Sequence, residues 1–412
     1  MCASVIRRLI NSAPQFRQTR FDLYGKILHL QPYHHPLLVE ISSDLQAMQY
    51  ALEWAEKGLY TTSPNPRVGC VIVKDRQIMG CGFTQPAGFA HAEVQALLDA
   101  RIKGNDVRDA TAYVTLEPCS HFGRTPPCAD ELIKAGLTRV VAAIADPNPQ
   151  VSGQGLARLK AAGIEVECPL LETAAYEMNI GFFTRMRTGK PWVRLKVAAS
   201  LDGKTALHNN QSQWITGVEA RADGHHWRAR ACAILTGIGT LLQDDPQLTV
   251  RAIPVTRQPL RIIVDSRLQT PVSAKALQNP GSGGVLIVHA MQNTEPQSRE
   301  LQARLIAAGA ELLYLPNASN KVDLPKLMIE LGRRQINELH IEAGSKLNGS
   351  LIQENCVDEL LLYLAPSLLG DARGMFELPA LDDLTQQRRL HFHHIGQMGE
   401  DVRLLARFSN PL

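Results

Sequence analysis

Two short motifs decide the first half of the chain: TLEPCSHFGRTPPC at residues 115–128 and, before it, HAE at residues 91–93. Eight residues separate Cys119 from Cys128, and His91 begins a stretch with helical spacing. Imidazole and thiolate groups are ligands that zinc prefers, and three protein ligands leave the fourth zinc position to water, as in catalytic sites. The sequence therefore predicts a catalytic Zn²⁺ site in which His91, Cys119 and Cys128 bind the metal.

Glu93 lies two residues from a predicted ligand and is placed to carry a proton. Zinc lowers the pKa of a bound water to about 7, so hydroxide is available near neutral pH. Glu93 would take the proton of this water and deliver it to a leaving amine, which is the chemistry of a hydrolytic deaminase. Cys119 and Cys128 are both predicted at helix starts, where the helix N-terminus favours the thiolate that binds zinc.

Two other interpretations of these motifs stay open. A structural zinc site would need a fourth ligand at close spacing, and His121 is the local candidate for it. A zinc-binding protein without enzymatic activity is the other interpretation, but it gives Glu93 no role. Cys70 and Cys81 lie on predicted hairpin strands, and we expect both of them in the core.

A turn before the first predicted strand supplies a candidate substrate contact. The segment Asn65-Pro66-Arg67-Val68-Gly69 predicts a rigid turn that holds the Asn65 amide over the metal, where it reads the ring of the substrate. An asparagine that caps its own backbone in a turn is an equally good explanation of this residue.

Hydrophobic spacing along residues 44–189 predicts an α/β/α sandwich. Ser42, Ser43 and Asp44 are candidate N-caps for a helix that ends at Gly58, and apolar runs at 68–73 and 78–83 predict a hairpin. Helices and strands then alternate, which is typical of a sheet covered by helices. These elements are predicted as helix 92–101, strand 111–117, helix 128–135, strand 139–145, helix 155–162 and strand 164–167.

Residues 190–412 repeat the α/β pattern and are predicted to form a second domain. The boundary is placed at Gly189, where a basic helical stretch gives way to a strand-like run. Residues 1–43 are basic and predict an N-terminal extension that is disordered or loosely docked. The strands of the second domain are predicted at 192–199, 233–236, 260–265, 285–289, 311–315, 338–342 and 358–364, with a closing antiparallel pair at 390–395 and 402–408.

The composition favours a cytoplasmic enzyme that acts on a small molecule. A chain of 412 residues predicts two domains, and a formal net charge of only +3 argues against a nucleic-acid partner. The sequence has no run of 18 apolar residues, so we expect no membrane span. Eight cysteines without a signal-peptide pattern predict reduced thiols in the cytoplasm. A homo-oligomer is compatible with these observations.

Two strand-to-helix loops in the second half are candidates for holding a cofactor phosphate. One runs from Glu342 to Ser350, and the other runs from Thr236 to Thr240 and leads to Asp244. Backbone amides at the N-terminus of a helix bind phosphate groups well. The sequence has no Rossmann fingerprint, and a plain strand-to-helix loop explains either stretch equally well.

The two halves together resemble the bifunctional deaminase/reductase family of riboflavin biosynthesis. The longer gap between the cysteines points to this branch, since the nucleobase deaminase signature more commonly has Cys-x2-Cys. Motifs of the first half that match are PNPRVGC at 64–70, HAE at 91–93, and TLEPCSH with GRTPPC within 115–128. Motifs of the second half that match are KVAASLDG at 196–203, SQWIT at 212–216, DDP at 244–246 and EAG at 342–344.

The resemblance implies a cytidine-deaminase-like α/β/α sandwich followed by a dihydrofolate-reductase-like α/β domain. It implies that the first domain hydrolyses the amino group of 2,5-diamino-6-(5-phosphoribosylamino)pyrimidin-4-one. The second domain would then reduce the ribosyl side chain of that product to ribityl with NADPH. A polynucleotide-editing deaminase is a rival for the first domain and requires a basic surface. A folate reductase is a rival for the second, since fold does not determine function.

The resemblance also implies which residues form the reductase site. Arginine suits a sugar phosphate through bidentate geometry, although solvated surface arginines would explain Arg228 and Arg251 if the resemblance is ignored. Arg267 is a candidate contact for the 2′-phosphate of the cofactor. The implied cofactor residues are Ala198, Trp214, Thr240, Asp244, Ser266, Gly344, Ser345, Lys346, Leu347, Asn348, Gly349 and Ser350. The implied substrate residues are Ser212, Arg228, Arg251 and Glu342, with Lys196 and Asp202 near the sugar carbon.

Overall fold

A computed structural model of the chain describes residues 40–120, 126–149, 151–278, 283–292 and 296–409. The predicted N-terminal extension therefore lies outside the described residues except for its last four positions. His121, the candidate fourth ligand of a structural zinc site, also lies outside them. In the part of the chain that is described, no helix is long and apolar enough to cross a membrane.

The first half is built on a five-stranded mixed sheet with the strand order β2-β1-β3-β4-β5. The β1–β2 and β1–β3 pairs are antiparallel, whereas β3, β4 and β5 run parallel to one another. The elements are α1 (Asp44–Glu56), β1 (Gly69–Lys74), β2 (Gln77–Phe83), α2 (Ala92–Ile102), β3 (Thr111–Val114), α3 (Cys128–Lys134), β4 (Arg139–Ala142), α4 (Gln154–Ala161), β5 (Glu165–Glu167), α5 (Glu172–Met178) and α6 (Ile180–Thr188).

Helix α1 shows why the local sequence produces this arrangement. The Ser43 hydroxyl accepts a hydrogen bond from the backbone N–H of Gln46 (3.3 Å), so Ser43 is the N-cap among the three candidates. The apolar side chains at helical spacing are all buried against the sheet. A Cβ at Gly69 would lie 1.9 Å from the carbonyl oxygen of Ala51, so only glycine lets β1 approach this helix so closely.

The second half contains a nine-stranded sheet with the order β11-β10-β9-β8-β12-β6-β13-β16-β15. The first seven strands in this order run parallel to one another. Strands β16 and β15 follow them at one edge of the sheet and pair in antiparallel fashion. The strands are β6 (Trp192–Ser200), β7 (Lys204–Ala206), β8 (Ala233–Gly237), β9 (Leu260–Val264), β10 (Val285–His289), β11 (Glu311–Tyr314), β12 (Glu338–Ile341), β13 (Glu359–Ala365), β14 (Arg373–Gly374), β15 (Leu390–Met398) and β16 (Asp401–Phe408). The helices are α7 (Val218–Arg230), α8 (Ile238–Asp244), α9 (Pro296–Ala307), α10 (Leu324–Arg333) and α11 (Ser345–Gln353).

All the strands predicted in the second half are present, and the ends of most differ by one to three residues. The sequence did not predict the two-stranded sheet of β7 and β14, because its strands have only three and two residues. The chain passes from the five-stranded to the nine-stranded sheet between α6 and β6. We keep residues 44–189 and 190–412 as our proposed domain limits, with Gly189 (φ 71°) ending α6.

A buried cluster of ion pairs joins the two halves of the described chain. The Glu338 carboxylate accepts hydrogen bonds from three guanidinium groups, those of Arg67 (2.6 Å), Arg230 (2.8 Å) and Arg194 (3.1 Å). Burial alone would raise the pKa of Glu338, but the positive charges around it hold the pKa well below the usual value. Because a buried charge is costly unless it is paired, each member of the cluster depends on the others.

Candidate functional site

The three predicted zinc ligands meet beyond the carboxyl end of β3, the central strand of the five-stranded sheet. His91 is the N-cap of α2, Cys128 is the first residue of α3, and Cys119 lies in the loop after β3. The His91 Nδ1 atom lies 3.6 Å from the Cys119 sulfur and 3.3 Å from the Cys128 sulfur. Zinc bonds of about 2.0–2.3 Å in tetrahedral geometry require nitrogen–sulfur separations of about 3.5 Å, so the donor set fits zinc.

One detail of the prediction is wrong, because Cys119 does not start a helix. Instead, its sulfur accepts a hydrogen bond from the backbone N–H of Cys128 (3.3 Å) at the true helix start. Hydrogen bonding to the Cys128 side chain lowers the pKa of the Cys119 thiol below its usual value. The thiolate that zinc requires is therefore favoured at Cys119 by contacts with Cys128, the first residue of α3, rather than by a helix of its own.

Glu93 sits in the first turn of α2 with only 3% of its surface exposed. Burial raises the pKa of its carboxyl group to about 7, and the negative charge of Cys119 contributes to this shift. The carboxylate also contacts the Cys128 side chain, but it is not among the clustered ligand atoms, which all lie within 4.8 Å of one another. Glu93 is therefore beside the metal cluster and suited to exchanging a proton near neutral pH.

Glu117 is a residue of this site that sequence reasoning missed. It precedes Pro118 and Cys119, and its buried carboxylate accepts hydrogen bonds from four backbone N–H groups, those of Asp146 (3.1 Å), Gly153 (2.9 Å), Gly155 (2.9 Å) and Leu156 (3.4 Å). A Cβ at Gly155 would lie 1.9 Å from the Pro118 carbonyl oxygen. Glu117 therefore fixes the loop that carries Cys119, and an acidic residue just before the Pro-Cys pair was its signal.

Asn65 lies in the predicted turn before β1, and its backbone N–H donates to the Thr62 carbonyl (3.0 Å). Its role in reading the substrate ring stays a prediction.

Cys70 and Cys81 are buried on the hairpin strands, as predicted. The cysteines among the described residues are all free thiols.

A cavity of about 1970 Å³ opens at the carboxyl ends of parallel strands in the nine-stranded sheet. This is the edge where open α/β sheets bind ligands, and the volume exceeds the roughly 300–1,000 Å³ of a single small-molecule site. Two ligands, a dinucleotide and a sugar phosphate, therefore fit it. Predicted residues that line the cavity are Lys196, Ala198, Ser212, Trp214, Arg228, Thr240, Asp244, Arg251, Ser266, Arg267, Glu342, Gly344, Ser345, Lys346 and Leu347.

The last three residues of the predicted cofactor loop do not line the cavity, because they lie inside α11. Asn348 is buried and its side-chain amide donates to the Met375 carbonyl (3.2 Å). A Cβ at Gly349 would lie 2.0 Å from the Glu377 carbonyl oxygen, and the Ser350 hydroxyl donates to Lys346 within the helix (3.1 Å). Within α11, only the first turn, which begins after the N-cap residue Gly344, can offer free backbone N–H groups to a phosphate.

The charged groups of the cavity pair with one another in a way that the sequence does not show. Arg228 donates two hydrogen bonds to the Glu342 carboxylate (2.5 and 2.7 Å) and one to the Thr249 carbonyl (3.2 Å), so its guanidinium is already engaged. Burial alone would raise the pKa of Glu342, but Arg228 holds it well below the usual value. Arg251 is exposed and makes one side-chain bond, to the Thr249 hydroxyl (3.3 Å), so it is the freer cation.

Lys196 and Asp202, which were predicted near the sugar carbon, lie in different surroundings. Burial lowers the pKa of Lys196, whose ammonium lies 5.8 Å from the centre of the Tyr363 ring. Asp202, by contrast, lies outside the cavity lining and accepts the backbone N–H groups of Leu369 (3.1 Å) and Gly370 (2.8 Å), so it holds a loop. His225, Lys275 and Lys321 also line the cavity and were missed, since nothing in the local sequence distinguishes them.

Comparison with known proteins agrees with this geometry in both halves. Residues 41–144 match the family model of the cytidine and deoxycytidylate deaminase zinc-binding region, and residues 191–404 match the RibD C-terminal domain. The riboflavin biosynthesis protein RibD of Escherichia coli is 47% identical over 87% of this chain and 97% of its own length. The protein of the same name from Haemophilus influenzae is 44% identical over 89% of this chain and 98% of its own.

Solved structures show the same relationship. Acinetobacter baumannii RibD (form 2) is 44% identical, with a TM-score of 0.78 over 89% of this chain and 99% of that one. A deaminase/5-amino-6-(5-phosphoribosylamino)uracil reductase from Thermotoga maritima is 32% identical. Its TM-score is 0.78, and the match covers 89% of this chain and 98% of that one. The resemblance and the fold class inferred from the sequence are confirmed. The chain belongs to the RibD family of bifunctional riboflavin-biosynthesis enzymes, which join a zinc-dependent deaminase to an NADPH-dependent reductase.

Proposed function

We propose that the first half deaminates 2,5-diamino-6-(5-phosphoribosylamino)pyrimidin-4-one by hydrolysis and that the second half reduces the ribosyl side chain of the product to ribityl. The observation that carries the first step is the buried Glu93 carboxyl group beside the cluster of His91, Cys119 and Cys128. Three ligand atoms at zinc-compatible distances and an adjacent proton carrier are the parts that hydrolytic deamination requires.

In the deaminase site, zinc supplies a water whose pKa falls to about 7 when the metal is bound by these ligands. Glu93 accepts the proton of the attacking water, because its own pKa of about 7 permits both protonation states near neutral pH. A bond forms from the water oxygen to the ring carbon, and the bond from that carbon to the amine breaks. Glu93 returns the proton to the departing nitrogen, so that ammonia leaves.

In the reductase site, NADPH supplies the hydride when it is bound. The first turn of α11 faces the cavity with free backbone N–H groups, which suit the cofactor phosphates. Arg251 suits the phosphate of the ribotide because it is exposed and lightly bonded, whereas Arg228 orients Glu342 toward the sugar. These assignments rest on the lining of the cavity and on the pairing of its charges.

The two activities can be separated in one assay of the full-length protein. Incubation with the diaminopyrimidine ribotide alone should release ammonia, and addition of NADPH should then produce a fall in cofactor absorbance that depends on the first step. Absence of ammonia release, or ammonia release from a polynucleotide instead, would overturn the proposal. Oxidation of NADPH with dihydrofolate instead of the deaminated ribotide would overturn its second half.

Replacement of Arg228 by lysine should weaken the reductase and leave the deaminase unchanged. Lysine cannot make the two parallel hydrogen bonds that hold the Glu342 carboxylate, and charge-assisted hydrogen bonds contribute about 1.5–3 kcal/mol each. We expect kcat/KM for NADPH oxidation with the deaminated ribotide to fall by at least about tenfold. Arg334→Lys, which alters an ion-paired arginine outside the cavity lining, is the matched control. Equal kinetics for the two variants would contradict the role of Arg228.

We also propose that the protein works in the cytoplasm and acts on a free small molecule. The support is the set of free thiols in the described residues, because cysteines are kept reduced in the cytosol. Self-association as a homo-oligomer stays a prediction.

A further inference from the structure

Residues 64–67, the loop between α1 and β1 that carries Asn65, are held by residues of the reductase half. We propose that Asn337, which directly precedes β12 of the reductase sheet, is a positioning residue of the deaminase. This inference rests on the proposed function and on the prediction from the sequence that Asn65 contacts the pyrimidine of the ribotide.

The Asn337 side chain is fixed at both of its polar atoms. Its amide nitrogen donates to the carbonyl oxygen of Pro64 (2.9 Å), the residue immediately before Asn65. Its amide oxygen accepts a hydrogen bond from the Arg185 guanidinium (2.6 Å). Only 4% of its surface is exposed, so water does not compete for either bond. The side chain therefore holds the Pro64 carbonyl from a fixed position.

The other end of the loop is held by the same region of the reductase. The Arg67 guanidinium donates to the Glu338 carboxylate (2.6 Å) and to the Arg230 carbonyl (3.1 Å), and the residue is 4% exposed. The backbone N–H of Arg67 donates to the Asn179 side chain within the first half (2.7 Å). Asn337 and Glu338 are thus consecutive residues that bind the loop on either side of Asn65.

The loop leads directly to β1, which is bonded to the segment that carries Cys119. Gly69, at the start of β1, exchanges two hydrogen bonds of 3.0 Å with Thr115, one from its backbone N–H to the threonine hydroxyl and one to its carbonyl from the threonine N–H. Thr115 begins the segment that contains Cys119. A shift of the Pro64 carbonyl would therefore move Asn65 relative to the metal ligands. Misplacement by about 1 Å of groups that orient a substrate can cost on the order of 10²-fold in rate.

The test compares two variants of the full-length enzyme that differ in which bond they remove. Asn337→Ala loses both side-chain bonds, whereas Asn337→Asp keeps an acceptor for Arg185 and loses the N–H that holds Pro64. We expect both variants to raise KM for ribotide deamination by about tenfold or more, with a smaller change in kcat, and to keep full zinc content. Reduction of separately supplied deaminated ribotide with NADPH should keep wild-type kinetics.

Leu327→Ala is the control for a general loss of stability. Leu327 is fully buried in the reductase core, and it forms no hydrogen bond with residue 64 or residue 67. It should lower the melting temperature without raising KM for deamination. An unchanged deamination KM in Asn337→Asp would overturn the inference, as would a parallel fall of both activities in all three variants. If the wild-type protein released no ammonia from the ribotide, the proposed function itself would fail.

Discussion

Replacement of Glu93 by glutamine should stop ammonia release while zinc stays bound. Glutamine has nearly the same shape as glutamate but cannot accept the proton of the attacking water. General acid–base catalysis contributes about 10²- to 10⁴-fold to a rate, so we expect kcat for deamination to fall by that factor. Zinc content should remain at the wild-type level, because Glu93 is not one of the clustered ligand atoms. The measurements are ammonia release and zinc content of the same preparation.

The matched control for this variant is Asp99→Asn on the same helix. The Asp99 carboxylate accepts a hydrogen bond from the Cys81 backbone N–H (2.8 Å) and pairs with Lys103, away from the metal cluster. It should keep deamination close to the wild-type rate, whereas Glu93→Gln should not. Turnover of Glu93→Gln at the wild-type rate would remove this residue from the mechanism.

Replacement of Cys128 by serine should abolish zinc binding and deamination together and leave the reductase active. The serine hydroxyl is a much poorer zinc ligand than a thiolate, and a two-ligand site would lose the metal. We expect zinc content to fall close to zero and ammonia release to become undetectable. NADPH oxidation with supplied deaminated ribotide should continue, because Cys128 lies in the five-stranded-sheet domain and not in the reductase cavity.

Cys168→Ser serves as the control for the loss of a thiol. Cys168 is a free, partly buried cysteine of the same half that does not belong to the metal cluster. This variant should keep its zinc and its deaminase activity. A Cys128→Ser protein that retained one zinc per chain and released ammonia normally would contradict the proposed ligand set.

Most of the deaminase site could be predicted from the sequence because its parts lie at the ends of regular elements. The helix that begins after His91 was read from its apolar spacing, and it places Glu93 in the first turn. The predicted helix start at Cys119 was wrong, since Cys119 and Ser120 are not helical and α3 begins at Cys128, after the N-cap Pro127. The role of Glu117 escaped the reading because its bonding partners lie about thirty residues further along the chain.

The reductase site was predicted less completely, because its groups come from distant segments. The resemblance identified most of the residues that line the cavity, but it placed Asn348 and Gly349 in the cofactor loop, and α11 turns them toward residues 375–377 instead. It also assigned Arg228 to the substrate, which stays a prediction, and only the fold shows that this arginine pairs with Glu342. Pairing of side chains from different strands depends on sheet order, which no local pattern contains.

The sequence by itself determined the metal chemistry, the order of helices and strands and the division into two α/β halves. Ligand type, apolar period and turn residues are local properties, and each acts within a few residues along the chain. Only the tertiary structure decided that Glu338 gathers Arg67, Arg194 and Arg230, and that Asn337 reaches the Pro64 carbonyl. Such contacts join residues far apart in the chain, and a buried charge or amide takes whichever partner the packed fold brings within hydrogen-bonding distance.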